Sequence, residues 1–262
     1  SYISGATKTA ILMSVNSQST ELCNPYMKTD VRDLLRFYGD IGYTINIKEN
    51  NITIIRPKVF TNSTHIEFTL TECVSEVITY ISLALYMDIE LRIQINNINN
   101  VVAGLKKEFE LLTEMGIQYI IGNDYIDVLK TRSIKPINID VTNDSIQSDH
   151  LPFFVLILTK SIGSSYVRDF VWPERFAYVA ELQKLGFKLE NKDNTLLIYP
   201  SEVTVDKALL YGHDTRASAI AILASLSNKG EVIVDDISHV YRGYSYLLQN
   251  LISLGAKINF DG

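Results

Sequence analysis

The segment Val179–Ile198, with the sequence VAELQKLGFKLENKDNTLLI, is the stretch from which the fold of the whole chain can be inferred. Apolar residues at helical spacing lead to Leu185, and Gly186 follows. Alternating apolar residues then flank the pair Asp193-Asn194. Helical spacing that stops at a glycine predicts a capped helix, and alternation around an Asp-Asn pair predicts a β-hairpin.

The same pattern occurs three more times along the chain. The glycines that end the predicted helices are Gly42, Gly116, Gly186 and Gly255, separated by 74, 70 and 69 residues. A regular period indicates one supersecondary unit copied along the chain. The four pattern segments are Leu35–Ile55, Leu105–Val128, Val179–Ile198 and the stretch from Leu247 onward. We therefore predict four copies of a unit that consists of a helix, a strand, a second helix and a hairpin.

Each copy yields specific bounds for its elements. The first helices are expected over 9–17, 74–86, 151–161 and 217–226, the strands over 20–23, 90–95, 166–171 and 231–235, and the second helices over 31–40, 102–114, 175–184 and 244–254. The hairpin turns are expected at Asn50-Asn51, Gly122-Asn123-Asp124, Asp193-Asn194 and Asp261-Gly262. The polar stretch 130–136 separates the second copy from the third and is a candidate linker. The fold class is thus α/β (α+β), with domains 1–130 and 131–262 of two repeats each.

Composition and residue spacing argue against several classes of protein and partner. The chain has 262 residues, 47% hydrophobic and 21% charged, which is typical of a globular protein. A net charge of −6 does not favour nucleic acid as a partner, and no run reaches the roughly 20 apolar residues of a membrane helix. Cys23 and Cys73 are too few for a disulfide scaffold, and no secretory signal is visible, so a cytoplasmic location is expected. The four histidines have no metal-binding spacing, and neither a metal nor a cofactor is predicted.

Several cations lie where helices are predicted to begin. Lys8 and Arg216 open the first helices of copies one and four, whereas Asp149 has the matching place in copy three. Arg175 and Arg242 lie at the entry of second helices. A cation is unfavourable at the positive end of a helix, and a bound phosphate or carboxylate would offset it. The cations are either solvated surface residues or the contacts of a small, doubly anionic ligand.

The motifs around these charges resemble those of the UDP-N-acetylglucosamine 1-carboxyvinyltransferase family. The most specific are in the C-terminal third: Asp214-Thr215-Arg216-Ala217-Ser218, and His239-Val240-Tyr241-Arg242-Gly243-Tyr244 followed by Leu254-Gly255-Ala256. The others are Ser4-Gly5-Ala6-Thr7-Lys8, Asp30-Val31-Arg32, Ser148-Asp149, and Glu174-Arg175-Phe176 with Glu181-Leu182. The resemblance implies two domains built from six repeated units, of which this chain has four. The missing units would fall between copies two and three, and a homodimer or a partner subunit is expected to cover the exposed faces.

The resemblance also implies roles for single residues. Asp149 would be the base near the acceptor hydroxyl. Lys8, Arg216 and Arg242 would hold phosphoenolpyruvate, with Arg175 close by, and Asp214 would be a second carboxylate in the cleft between the domains. Thr9 stands where the family has an asparagine after the lysine.

One departure from the family keeps two functions open. The loop at 96–104 reads NNINNVVAG and contains neither the cysteine nor the arginine that the family carries there. The first hypothesis is an enolpyruvyl transferase that uses phosphoenolpyruvate and an unknown hydroxyl acceptor. The second is a non-catalytic relative, a regulatory or assembly subunit that still binds an anion. An anion-binding protein of unrelated chemistry is a third possibility.

Overall fold

The chain forms two compact units in the computed structural model, which describes residues 4–60, 65–173 and 175–259. The first unit combines Ser1–Val74 with Asn96–Lys106, and the second combines Ser75–Ile95 with Lys107–Gly262. These bounds differ from the expected boundary between residues 130 and 131, which stays a prediction about how the repeats are grouped. The expected turn at Asp261-Gly262 and the motif residue Glu174 lie outside the described residues.

The first unit is a small antiparallel sheet packed against helices. Its helices are α1 (Ser4–Met13), α2 (Thr29–Asp40) and α4 (Ile98–Gly104), and its strands β1 (Ser19–Cys23), β2 (Thr44–Lys48) and β3 (Asn51–Ile55) form a sheet in the order β1-β3-β2. Alternation puts Ile52 and Ile54 of β3 on the buried face. They pack with Ile11 of α1 and with Val31 and Leu35 of α2. The hairpin between β2 and β3 is confirmed, and its turn lies at residues 49–50, one position before the predicted pair.

The second unit contains the remaining elements. Its helices are α3 (Val74–Met87), α5 (Lys106–Glu114), α6 (Leu151–Leu158), α7 (Ala177–Lys184), α8 (Thr215–Ser225) and α9 (Leu247–Ser253). The first residues of α3 and α5, Val74 and Lys106, belong to the first unit. Strands β4 (Leu91–Gln94), β5 (Tyr119–Ile121) and β6 (Tyr125–Val128) form one sheet in the order β4-β6-β5. Strands β7 (Ile139–Val141), β8 (Ser165–Asp169), β9 (Leu189–Lys192) and β10 (Thr195–Ile198) form another in the order β7-β8-β10-β9, and β11 (Lys207–Tyr211) pairs with β12 (Glu231–Asp235).

Two apolar helices form the centre of the second unit. Every residue of α6 is buried, and so are all residues of α8 from Ala217 to Ala224. A helix that is apolar around its whole circumference has to be enclosed by other elements, and α6 and α8 pack against each other. Strand β12, in contrast, alternates between exposed and half-buried residues, so one face of its sheet lies at the surface. Among the described residues, no helix is both long and apolar enough to cross a bilayer.

Two strands were not predicted. β7 and β11 precede the first helices of copies three and four, and each pairs in parallel with the strand that follows its helix. In copy three the order is therefore strand, helix, strand, helix and hairpin, and the first helix is the crossover that a parallel pair requires. β7 has only three residues, Ile-Asp-Val, which is too short for alternation to be recognised in the sequence.

Among the predicted helix bounds that were wrong, four bear on the site or on the packing, and three of these concern candidate site residues. α1 begins at Ser4, so Lys8 lies in its second turn and does not open the helix. Arg175 precedes α7 by two residues. Arg242 ends a 3-10 segment, Ile237–Arg242, that comes before α9. The helix expected over 244–254 is shorter than predicted, because α9 begins at Leu247 and residues 244–246 precede it outside any helix.

The fourth error is a break in the expected helix 102–114. The chain forms α4 and α5 with Leu105 between them. Gly104 ends α4 where a Cβ atom would lie 2.7 Å from Oγ1 of Thr29 and 3.2 Å from Cγ1 of Val74. This tight contact with two other segments is a tertiary constraint that helical spacing does not reveal.

The four predicted cap glycines share one geometry. Each lies two residues beyond the last residue of α2, α5, α7 or α9, and their φ angles are +102° for Gly42, +78° for Gly116, +94° for Gly186 and +99° for Gly255. A left-handed residue after the end of a helix satisfies its last carbonyl groups, and glycine adopts that conformation without a steric penalty. The recurrence agrees with a repeated unit.

Gly255→Ala is expected to destabilise the protein by about 1 kcal/mol, because an L-residue is strained at this φ. No atom lies within 4 Å of the added methyl, so the strain comes from the backbone alone. Gly39→Ala is the matched control, because its methyl also meets open space but φ is helical within α2, and it should stabilise by about 0.5 kcal/mol. Urea denaturation of both variants checks this, and equal effects would contradict the strain argument.

Candidate functional site

Asp214 caps the N-terminus of α8. Its backbone is extended, and its Oδ1 accepts hydrogen bonds of 2.8 Å from the backbone N–H groups of Arg216 and Ala217. A carboxylate is the favoured group at this position because it binds unpaired N–H groups and faces the positive end of the helix. Asp214 therefore also offsets the unfavourable position of Arg216, which lies in the first turn of α8 as predicted.

Two arginines converge on the carboxylate of Asp149. Asp149 lies in a single 3-10 turn, Ser148–His150, directly before α6. Nη1 of Arg175 donates to its Oδ1 at 2.6 Å, and Nη2 of Arg216 lies 3.6 Å from its Oδ2. Nε of Arg175 is also 3.6 Å from Oδ2 of Asp214. Two guanidinium groups and two carboxylates thus form one cluster, which we call the arginine cluster (Asp149, Arg175, Asp214 and Arg216).

The arginine cluster is neither fully buried nor fully exposed. The side chains of Asp149 and Arg175 are 30% and 32% exposed, whereas that of Arg216 is 12% exposed. Burial opposes the charge on Arg175, but the hydrogen bond from Asp149 and the charges of Asp149, Asp214 and Asp169 outweigh it and raise the pKa of Arg175. Arg175 is therefore a permanent cation that can still reach solvent, which suits recognition of an anion from solution.

Asp169 connects the two segments that carry Asp149 and Arg175. It lies at the end of β8 and is 2% exposed. The hydroxyl of Ser148 donates to its Oδ2, and the backbone N–H groups of Val171 and Trp172 donate to its Oδ1 at 2.9 and 2.8 Å. Sequence reasoning missed this residue, because nothing local separates it from the other aspartates that follow strands.

Arg216 is held from its other side by Tyr244. Nη1 of Arg216 donates to the tyrosine hydroxyl at 2.9 Å, and the centre of the guanidinium lies 5.4 Å from the ring centroid. The ring is buried, at 1% exposure, and its hydroxyl orients a candidate ligand-binding side chain.

Gly243 lies close to the start of α8. A Cβ at this position would lie 2.7 Å from Cγ2 of Thr215 and 3.6 Å from Nη1 of Arg216. We expect Gly243→Ala to destabilise the protein by about 1–3 kcal/mol, because the methyl groups overlap. Thr215→Ser removes Cγ2 while keeping the hydroxyl that donates to the carbonyl oxygen of His239. The double variant should recover most of the loss in a thermal melt, and a failure to recover would show that Gly243 matters for another reason.

The other predicted site residues lie outside the arginine cluster. Arg242 is exposed, and within the described part of the chain it makes no ion pair or side-chain hydrogen bond. Lys8 belongs to the first unit, where its Nζ lies 2.6 Å from Oδ2 of Asp30 in the first turn of α2. Thr9 is exposed on α1. The structure therefore brings together Asp149, Arg175, Asp214 and Arg216, and it describes Lys8 and Thr9 within a separate unit.

The loop at 96–104, which lacks the cysteine and the arginine of the family, is bound by a carboxylate of this chain. The carboxylate of Glu72 accepts hydrogen bonds from the backbone N–H groups of Asn96 at 2.7 Å and Asn97 at 3.1 Å, just before α4. These N–H groups are therefore bound by the chain itself. Cys73 is an exposed free thiol outside this loop. Among the described residues, no group of three or more His, Cys, Asp or Glu side chains could hold a metal ion.

Comparison with known proteins connects this geometry to one family. The family model for EPSP synthase (3-phosphoshikimate 1-carboxyvinyltransferase) matches residues 1–251. UDP-N-acetylglucosamine 1-carboxyvinyltransferase from Lactobacillus acidophilus is 27% identical over 257 residues, which is 97% of this chain and 58% of that protein. The enolpyruvyl transferase NikO from Streptomyces tendae is 31% identical, with a TM-score of 0.89 over 98% of this chain and 60% of that chain.

A more distant structure supports the fold alone. EPSP synthase from Acinetobacter baumannii is 15% identical and superposes with a TM-score of 0.63 over 93% of this chain. The chain spans about three fifths of the length of the relatives it matches, 58–60%. The predicted fold class is confirmed at the level of a mixed α/β enolpyruvyl-transferase-like fold. A family model that matches nearly the whole chain and the likeness to NikO lead to one conclusion: this chain belongs to the enolpyruvyl transferase family.

Proposed function

We propose that this chain binds phosphoenolpyruvate and transfers its enolpyruvyl group to a hydroxyl acceptor, releasing phosphate. The observation that carries the proposal is the convergence of Arg175 and Arg216 on the half-exposed carboxylate of Asp149. Guanidinium groups grip phosphate and carboxylate groups through paired N–H donors, and phosphoenolpyruvate presents both groups. A carboxylate between them is suitably located to take a proton from a hydroxyl group next to the bound anion.

The charge balance supports further cations in the site. Within the arginine cluster two positive charges face two negative charges, so its net charge is zero. A ligand that carries two or more negative charges needs additional positive charge to be bound in preference to water. Arg242 and Lys8 are the proposed sources, and the hydroxyl of Thr9 adds a neutral donor.

The proposed reaction divides the work among these groups. Asp149 takes the proton of the acceptor hydroxyl as the hydroxyl oxygen bonds to the central carbon of phosphoenolpyruvate, and an acid protonates the methylene carbon. The conjugate base of that acid then removes a proton from the resulting methyl group, which restores the double bond as the bond between the central carbon and the phosphate oxygen breaks and phosphate leaves. The arginines and Lys8 stabilise the negative charge on phosphate and carboxylate throughout. No residue of this chain is assigned as the acid.

The names of the relatives suggest which acceptors to test. One group of relatives is named for UDP-N-acetylglucosamine and the matching family model for 3-phosphoshikimate. The chain spans about 60% of the length of those relatives. The acceptor is unknown, so we propose UDP-N-acetylglucosamine, 3-phosphoshikimate and smaller hydroxyl compounds as the acceptors to test.

The test combines binding with turnover. Isothermal titration of the full chain with phosphoenolpyruvate should give a saturable signal that Arg216→Gln weakens by at least tenfold, since a charge-assisted contact is removed. Lys8→Met and Arg242→Gln should weaken it as well. Phosphate release would then be followed with phosphoenolpyruvate and each acceptor. Arg168→Gln is a matched control, because it breaks a surface pair with Asp140 in the same unit. No binding, or equal loss in the control, would refute the proposal.

A non-catalytic relative is the second candidate, and one observation favours it. Glu72 occupies the backbone N–H groups of the loop that carries a cysteine and an arginine in the family. A non-catalytic chain would bind phosphoenolpyruvate, and the Arg216→Gln variant would bind it more weakly. Neither form would release phosphate with any acceptor. Its regulatory or assembly partner, or its homodimer, would be detected as a higher solution mass by light scattering.

A further inference from the structure

A set of buried polar side chains lies behind the arginine cluster and is not used by the proposed reaction. We call it the polar brace: Ser75, Thr79, Glu108, His150 and Tyr244. We infer that the polar brace positions Asp149 and Arg216, and that its members are positioning residues for the site. The inference rests on the proposed function for what the site binds. The contacts of the polar brace do not depend on that function.

The first arm of the polar brace holds the turn that carries Asp149. His150 follows Asp149 directly and is completely buried. Its Nδ1 lies 2.7 Å from Oε1 of Glu108, which is 1% exposed, and its Nε2 lies 2.9 Å from Oγ of Ser75. The same Glu108 oxygen accepts the backbone N–H of Gln147 at 3.1 Å. Both ring nitrogens are therefore bound, and the imidazole is fixed in one orientation.

The second arm holds Arg216. Tyr244 accepts a hydrogen bond from Nη1 of Arg216, and its hydroxyl lies 2.8 Å from Oγ1 of Thr79. The Thr79 hydroxyl donates in turn to the backbone carbonyl oxygen of Ser75 at 2.7 Å. One assignment of protons satisfies every contact: Tyr244 donates to Thr79, Thr79 donates to Ser75, and Ser75 donates from its own hydroxyl to His150.

Both arms start from one face of α3. Ser75 and Thr79 are four residues apart, so their side chains lie one above the other on the helix. One of them contacts the residue next to Asp149, and the other contacts the residue that binds Arg216. A single helix therefore contacts both segments whose side chains lie 3.6 Å apart, at Nη2 of Arg216 and Oδ2 of Asp149. A change in either arm should alter that separation.

Packing alone does not require this arrangement. Burying a carboxylate, an imidazole and three hydroxyl groups is unfavourable unless every polar atom finds a partner, and apolar side chains of similar volume would fill the space more easily. The hydrogen bonds of the polar brace are directional, so they fix side-chain orientation as well as volume. Orientation matters most next to charged groups that must meet a ligand in one geometry.

The test uses two hydroxyl deletions from the same helix. Ser75→Ala removes the contact with His150, and Ser82→Ala is the matched control, because Ser82 is also buried on α3 but donates to the backbone carbonyl oxygen of Phe153. The full chain would be examined by NMR, following the carboxyl carbon of Asp149 and the Nε–Hε group of Arg216, and by titration with inorganic phosphate. We expect Ser75→Ala to move the Asp149 signal and to weaken phosphate binding by about tenfold, the lower end of what outer-shell partners contribute at metal sites. Ser82→Ala should change neither.

A second variant keeps the inference testable if Ser75→Ala does not fold. Tyr244→Phe retains the buried ring and removes only the hydroxyl, so it should move the Arg216 signal and weaken phosphate binding similarly. Shifts no larger than those of Ser82→Ala in both variants would overturn the inference. If the signals move as expected but no form of the protein binds phosphate, the polar brace stands and the proposed function fails.

Discussion

Asp149→Asn is expected to lower the rate of phosphate release by about 10²–10⁴-fold, the range that a general base contributes. Asparagine keeps the size of the side chain and can still accept one hydrogen bond from Arg175, so the fold should be unaffected. It cannot take a proton from the acceptor hydroxyl. The affinity for phosphoenolpyruvate should be equal or higher, because Arg175 and Arg216 no longer share their N–H groups with a competing carboxylate.

The measurement for Asp149→Asn separates these two quantities. The turnover number would come from phosphate release, and the dissociation constant from titration with phosphoenolpyruvate. Asp140→Asn is the control, because Asp140 also pairs with an arginine, Arg168, but on the surface. Unchanged turnover in Asp149→Asn would reject its assignment as the base. A loss of binding without a loss of turnover would mean that Asp149 organises the arginines only.

Asp169→Ala is expected to destabilise the protein by about 3 kcal/mol, the largest effect on folding that we predict for a site substitution. Asp169 is almost completely buried and accepts hydrogen bonds from Ser148, Val171 and Trp172. Removing the carboxylate leaves the buried hydroxyl of Ser148 and two part-buried backbone N–H groups without their acceptor. Unsatisfied buried donors are more costly than the net contribution of the hydrogen bonds themselves.

The same substitution should weaken anion binding. Asp169 fixes both the turn before Asp149 and the segment before Arg175, so its loss releases the two partners of the 2.6 Å contact. Asp169→Asn is the graded comparison, because it preserves an acceptor for the backbone N–H groups and should retain most of the stability. Urea denaturation and phosphate titration of both variants check this. Equal stability of Asp169→Ala and the unmodified chain would contradict the role assigned to this carboxylate.

Local features of the fold could be predicted because their causes are local. The sequence predicted strand 231–235, and β12 has those bounds. It also predicted the hairpin turn at Asp193-Asn194, where both residues have positive φ angles of +48° and +57°. Propensity and turn chemistry act over a few residues, and the printed sequence contains all of that information.

Features that depend on close packing could not be predicted in the same way. The break between α4 and α5 follows from the proximity of Gly104 to Thr29 and Val74. The short strand β7 exists because β8 offers it a parallel partner, with Ile139 opposite Val167. In both cases the deciding contact is made by a residue far away in the sequence.

The candidate site likewise combines features with local causes and features that depend on close packing. The sequence by itself determined the helix that Arg216 opens, the place of Asp149 before the next apolar helix and the glycines that end the helices, because interactions within one or two turns fix each of them. Only the tertiary structure decided that Arg175 and Arg216 meet at one carboxylate, that Asp169 joins their segments, and that Glu108 and His150 form a buried pair. The physical reason is that burial strengthens these charge contacts and makes unpaired groups costly, and burial arises only when α6, α8 and their neighbours pack together.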